Sequence, residues 1–344
     1  MSVGIDDIRM AAARINGKAV LTPLLEAPLL NERMGCRVLI KPESLQLTGS
    51  FKFRGAYNRI SQLSTDDLAR GVVAYSSGNH AQGVAAAARL AGTAATIVMP
   101  HDAPAIKKRN TESWGAEIVI YDRDGEDRVA IGEAIAEEKN AVIVPPFDDY
   151  RVMAGQGTVG LELVEQAEAL GTKLDALLIP CGGGGLTAGV ATAIKALSPA
   201  TRVFTVEPEK YDDTRRSLAA GERIANKTVG QGASFCDALT APIPGELTFA
   251  INQRLVDGAI SIADEAVCEG LYAAYLNFKL VLEPSGAIAL AALVSGALSA
   301  TFDPAGKTIA VIASGGNVDH VTYQKALQTG QKALQTGAQR IGGT

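Results

Sequence analysis

The sequence predicts an α/β protein, two lobes of mostly parallel twisted sheet flanked by helices, and three observations carry that prediction. At 344 residues the chain exceeds the usual single compact domain, so it affords a large core or two joined units. Apolar residues make up 47% of the chain but aromatic residues only 5%, and 36 glycines accompany abundant Ala, Val, Ile and Leu. That composition suits small-sided helices packed closely on parallel strands. Short apolar runs also alternate with helix-length segments, which is the pattern of βαβ units.

Charge and cysteine usage narrow the function classes. The net charge is only −5 and the 32 basic residues form no run or stripe, so the electrostatic footprint of a nucleic-acid binder is missing and small polar substrates fit better. Cys36, Cys181, Cys236 and Cys268 lie far apart with no C-x-x-C spacing, which offers neither a zinc site nor a disulfide framework. Residues 1–13 carry charges throughout and lack an apolar signal core, and no stretch has the length of a membrane span. A cytoplasmic protein without membrane association is expected.

In chain order, Ile8, Ala12 and Ile15 place an amphipathic helix over 6–15, and Pro23 extends the chain after Thr22. A strand over 37–41 feeds the octapeptide Thr48-Gly49-Ser50-Phe51-Lys52-Phe53-Arg54-Gly55, followed by a helix to about Leu63. Strands at 71–75, 95–100, 117–121 and 141–144 alternate with helices at 81–91, 105–114 and 127–138. This is read as a small inserted α/β domain, 67–147. A helix over 157–170, strands at 176–180, 202–207, 258–262 and 308–313, and helices at 186–197 and 264–279 give a large discontinuous domain, 1–66 and 148–323. Residues 324–344 read as a tail helix frayed at its glycines, carrying the heptapeptide Gln324–Gly330 repeated over 331–337.

Lys52 stands out because desolvation or a nearby cation lowers a lysine pKa and makes a Schiff-base nucleophile. Phe51 and Phe53 are expected to desolvate it, and Arg54 and a helix N-terminus to disfavour its proton. A solvated surface lysine is the alternative. Gly182, Gly183, Gly184 and Gly185 join an apolar strand to an apolar helix, where bare backbone N–H groups converge on a phosphate. The run lacks the following Lys-Ser/Thr of a P-loop and departs from G-x-G-x-x-G. Ser76-Ser77-Gly78-Asn79-His80 occupies a second such turn, suited to a carboxylate, with a plain N-cap by Ser76 or Ser77 as the alternative. Ser314-Gly315-Gly316-Asn317 closes a third strand at the edge where open α/β sheets collect ligands.

These four motifs, in this order and spacing, resemble the pyridoxal-phosphate enzymes of fold type II, the tryptophan synthase β-like fold, and within them the threonine/serine dehydratase and serine racemase group. The resemblance covers about 21–321. It implies that Lys52 holds the cofactor as an internal aldimine and then removes the α-proton, with Phe51 beside the ring and Gly182 to Gly185 on the 5′-phosphate. Asn79 would meet the ring hydroxyl, the Ser76 to His80 turn the substrate carboxylate, and Ser314 the pyridine nitrogen. Ser77 matches the serine that racemases carry on the opposite cofactor face; its alternative is an N-cap. Arg128 matches an arginine that meets a second substrate carboxylate, surface exposure being its alternative. Glu207 and Asp213, with the Tyr211 carbonyl, match the cation site of metal-activated members. Mg²⁺ is the first choice, with Ca²⁺ or Mn²⁺ as alternatives to it; solvated charges are the plain reading.

The expected activity is therefore a hydroxy-amino-acid ammonia-lyase (dehydratase) acting on threonine, serine or 3-hydroxyaspartate. A serine or aspartate racemase on the same scaffold, or a non-catalytic amino-acid-binding protein, are the alternatives. A homodimer is the assembly the resemblance implies.

Overall fold

The computed structural model describes residues 2–227 and 234–341. Its strands are β1 (Leu25–Glu26), β2 (Arg37–Pro42), β3 (Val72–Tyr75), β4 (Ala95–Pro100), β5 (Glu117–Tyr121), β6 (Val142–Ile143), β7 (Ala176–Pro180), β8 (Arg202–Pro208), β9 (Gly258–Ile262) and β10 (Thr308–Ala313). They form a six-stranded sheet in the order β1-β2-β10-β7-β8-β9 and a four-stranded sheet in the order β5-β4-β3-β6. Every pairing is parallel except β1 on β2. The central strands β4 and β7 are buried along their whole length, as helices on both faces require. Parallel strands place their carboxyl ends together: Ala313 pairs with Pro42, and Pro180 with Val206, so the turns after β2, β7, β8 and β10 share one edge.

The two sheets meet through the helix Lys52–Ile60. Gly155 of the helix Tyr150–Ala169 touches it so closely that a Cβ there would lie 2.6 Å from the Arg54 carbonyl oxygen. On its other side Gly83, in the helix Asn79–Ala91, would bring a Cβ within 3.0 Å of the Lys52 carbonyl carbon. The first turn of this helix is thereby clamped between helices belonging to both sheets.

Beneath it lies a buried charge network. Arg54 is fully buried and its guanidinium grips the Glu43 carboxylate at 2.7 and 2.9 Å. It also reaches Glu162, which Lys41 holds from the other side at 2.7 Å. Two cations face two anions, so burial costs are offset by pairing.

The tail is the expected helix, without the expected fraying at Gly330. One helix, His320–Ile341, runs unbroken through Gly330, and the expected boundary at 324 falls inside it. A side chain at Gly330 would collide with the Cys268 carbonyl of the helix Asp264–Ala273, so glycine here permits close packing and does not fray the helix. All four cysteines are buried free thiols. Among the described residues no helix is long and apolar enough to cross a membrane.

Candidate active site

Lys52 is the first residue of its helix, and its Nζ donates to the Pro146 carbonyl at 2.7 Å while lying 5.3 Å from the Phe51 ring centroid. Burial pushes its pKa down to about 8. The expected helpers divide. Phe51 lies beside the amine. Phe53 instead stacks on Tyr57 at 5.6 Å inside the core of the smaller sheet. Arg54 supplies no net charge to the lysine, because Glu43 and Glu162 neutralise it. Burial alone therefore carries the shift.

The glycine turn after β7 has a defined support. The Gly183 carbonyl accepts from Thr248 Oγ1 at 2.7 Å and the Gly184 carbonyl from Asn252 Nδ2 at 3.2 Å, both from the helix Glu246–Leu255. The start of that helix is in turn capped by Asp148, which accepts from three of its backbone N–H groups. These bonds hold the turn at the N-terminus of Gly185–Leu197, an electropositive place suited to an anion, where Gly184 (φ +89°) caps without a side chain. A Cβ at Gly183 would collide with the Phe147 ring, and one at Gly185 would sit 2.8 Å from Phe147 Cβ. Pro146 and Phe147 thus tie the lysine to the glycine turn.

The turn after β3 is not the plain N-cap considered above. Gly78 holds the N-cap position with no side-chain bond, while Ser76 Oγ accepts from the Gly78 N–H at 3.2 Å. Ser77 lies beside it, partly buried. His80 is buried, with Nε2 on the Val144 carbonyl at 2.8 Å, and burial followed by the charge of Lys52 pushes its pKa down to about 3. It is a neutral ring, so it offers a carboxylate no charge.

Three of the four motifs are stitched together by side chains. Asn317 Nδ2 donates to the Thr48 carbonyl and to Asn79 Oδ1, each at 2.8 Å, and Asn79 Nδ2 donates to Glu283 Oε1. Ser50 bridges Gly315, and the Phe51 N–H donates to the Ser314 carbonyl at 3.1 Å, placing buried Ser314 beside the lysine loop. Thr48 Oγ1, Ser50 Oγ, His80 Nδ1 and Glu283 Oε2 are buried without a hydrogen-bond partner among the described residues. Native interiors rarely concentrate such atoms except where a polar ligand engages them.

Arg128 opens the helix Arg128–Lys139, whose Gly132 would put a Cβ 3.0 Å from the Tyr75 ring. Burial raises the Tyr75 pKa and the Arg128 charge opposes that rise, so the guanidinium stands near the residue preceding Ser76. Glu207 and Asp213 lie elsewhere on the edge, Glu207 near the carboxyl end of β8 and Asp213 at the start of the helix that follows. Both are buried; Glu207 accepts from the Thr214 and Arg215 N–H groups, and burial and then Asp213 push it up to about 8. Asp213 Oδ1 accepts from Asn226 at 2.7 Å, its Oδ2 is buried without a hydrogen-bond partner, and burial raises it to about 6. Tyr211 is buried between them in sequence. Among the described residues no cluster of three or more acidic, His or Cys side chains gathers as a metal centre.

The chain is similar in sequence and fold to known proteins. The family model of pyridoxal-phosphate dependent enzymes matches residues 16–315. The chain belongs to that family. It is 41% identical to an L-threo-3-hydroxyaspartate ammonia-lyase of Saccharomyces cerevisiae over 92% of this chain and 94% of the relative. It is 38% identical to a catabolic L-threonine dehydratase of Escherichia coli K12, over 93% and 94% of the two chains. The structure of maize serine racemase superposes with a TM-score of 0.88 at 37% identity, covering 97% of this chain and all of the other.

Sequence reasoning passed over Pro146, Phe147, Thr248, Asn252, Glu283 and Lys107. Only Glu283 left a local signal: it precedes Pro284-Ser285-Gly286 and caps the buried helix Pro284–Val294, which was also missed.

Proposed function

We propose that this chain is a pyridoxal-phosphate-dependent ammonia-lyase that removes water from a small β-hydroxy-α-amino acid, the resulting imine then being hydrolysed to a keto acid and ammonia. The observation that carries the reading is Lys52, a partly buried amine held near pKa 8 where three turns apt for a phosphate, a carboxylate and a ring meet.

Pyridoxal phosphate supplies, when bound, an electrophilic carbonyl and an electron-withdrawing ring. Lys52 Nζ would hold that carbonyl carbon, and as a free neutral amine would take the substrate α-proton. Gly182 to Gly185 would bind the phosphate, Phe51 would flank the ring, Asn79 would meet its hydroxyl, and Ser314 its nitrogen. A neutral serine there leaves the nitrogen without a strong proton donor, which favours fast loss of the β-hydroxyl over a long-lived carbanion. Backbone N–H groups of Ser76 to His80 would hold the α-carboxylate. Arg128, near Tyr75 and outside any ion pair among the described residues, suits a second carboxylate, which favours 3-hydroxyaspartate over serine and threonine.

A keto-acid release screen over the stereoisomers of serine, threonine and 3-hydroxyaspartate tests this; release from none of them would refute it. Racemisation is the second reading, favoured by Ser77 standing outside the helix cap. Chiral analysis of recovered substrate separates the two.

The cation belongs to the same proposal. Glu207, Asp213 and the Tyr211 carbonyl would hold Mg²⁺, in preference to Ca²⁺ or Mn²⁺, and the buried unbonded Asp213 Oδ2 beside a second buried carboxylate supports it. Mg²⁺ is expected to raise the unfolding temperature of chelator-treated protein and Glu207→Gln to remove that response. A cytoplasmic homodimer, with 67–147 as a smaller unit inserted in the larger one, completes the reading; sedimentation tests the assembly.

A further inference from the structure

We propose that Glu283 is a positioning residue which, with Asn317, fixes the side-chain amide of Asn79 as a hydrogen-bond donor towards the cofactor. The inference rests on the function proposed above and assigns work to residues outside its list of contacts.

The bond chain has acceptor-only groups at both ends. At one end the Thr48 backbone carbonyl takes one Nδ2 hydrogen of Asn317, so that amide must turn its nitrogen inward. Its second hydrogen goes to Asn79 Oδ1 at 2.8 Å, which turns the Asn79 carbonyl towards Asn317. At the other end the Glu283 carboxylate accepts one Nδ2 hydrogen of Asn79. Lys107, reaching across Gly78 to Asp237 at 2.6 Å, stands 4.0 Å from Glu283 Oε2 and favours the ionised acceptor against the burial that raises the Glu283 pKa to about 7. The orientation of Asn79 is therefore dictated by its neighbours: Oδ1 is turned to Asn317, Nδ2 to Glu283, and one Nδ2 hydrogen is left to donate. Gly315 allows the contact, since a Cβ there would lie 3.2 Å from Asn79 Nδ2 and collide with Glu283 Oε1.

An amide held with its nitrogen towards the ring oxygen donates to it, and so stabilises that oxygen once it has lost its proton. Flipped, the same amide would present its carbonyl and favour the protonated hydroxyl. Glu283, buried as the N-cap of Pro284–Val294 with its N–H on the Gly315 carbonyl, is rigid enough to enforce the choice.

The test uses protein reconstituted with pyridoxal phosphate and reads the ratio of the ketoenamine to enolimine absorption bands, which reports where the ring-oxygen proton resides. Cofactor affinity of the stripped protein is read by fluorescence. Glu283→Ala is expected to move the ratio about tenfold towards enolimine, the loss of one hydrogen bond involving a charged group. Asn79→Ala should move it as far, and the double variant no further, because both act through one bond. Glu283→Gln, which can still present an oxygen to Asn79, should keep the wild-type ratio. Additive shifts in the double variant, or a glutamine variant shifted as far as alanine, would overturn the proposal. Should Glu283→Ala fail to fold by circular dichroism, Asn317→Ala breaks the same chain from its other end and must give the same shift. A wild-type protein that develops no cofactor bands refutes the proposed function itself; normal wild-type bands with unshifted variants refute only this inference.

Discussion

The glycine turn after β7 and the serine turn after β3 occupy equivalent places, each joining a parallel strand to the N-terminus of a helix, yet they are built in opposite ways. At the first, Phe147 fills the space beside the glycines, and Thr248 and Asn252 hold the carbonyls. At the second, Ser76 and Ser77 are half-buried, and the groups nearby are the long charged side chains of Lys107 and Arg128. Packing of the first kind would suit a ligand that never changes, such as the proposed cofactor phosphate. An extended charged side chain outside any ion pair among the described residues, as Arg128 is, would suit one that enters and leaves, as proposed for the substrate.

The largest effect expected lies at the lysine between the two turns. Lys52→Ala should abolish keto-acid release, a loss of at least about 10³-fold, and remove the visible cofactor absorption while leaving a folded protein. Retained absorption would break the scheme. Raising pH deprotonates this amine near 8, so cofactor uptake by stripped protein should quicken about tenfold per unit below pH 8 and level off above it. A rise continuing towards pH 10, followed by stopped-flow, would mark a solvated lysine instead.

Next comes the rigid turn. Gly183→Ala should cost about 1–3 kcal/mol in stability through its collision with Phe147, and weaken cofactor binding in parallel, as denaturant titration and cofactor titration would show. On the open turn, Arg128→Ala should lower kcat/KM for 3-hydroxyaspartate about tenfold to a hundredfold and leave serine turnover nearly unchanged. An equal loss for both substrates would place Arg128 outside the side-chain pocket. The smallest change in stability is expected from Ser77→Ala, within about 0.5 kcal/mol, because no helix cap is lost; any racemisation of serine should disappear with it.

By itself the sequence determined the α/β class, the strand-helix alternation and four loops offered as candidate ligand contacts. Each is a local feature, glycine or serine at the carboxyl end of an apolar strand, and local features are written in adjacent residues. The helix Pro284–Val294, buried on all sides, escaped because it lacks the one-sided periodicity that marks a surface helix; Gly185–Leu197 is as buried, but the apolar strand and glycine turn before it gave it away. The tertiary structure decided what the motifs do to one another. Arg54 sits beside Lys52 in sequence, but its charge is spent on Glu162, 108 residues away. Asn79 is oriented by Glu283 across a separation of 204 residues. Nothing in either neighbourhood announces the partner, because pairing of buried charges and amides is settled by which elements pack together, after the chain has folded.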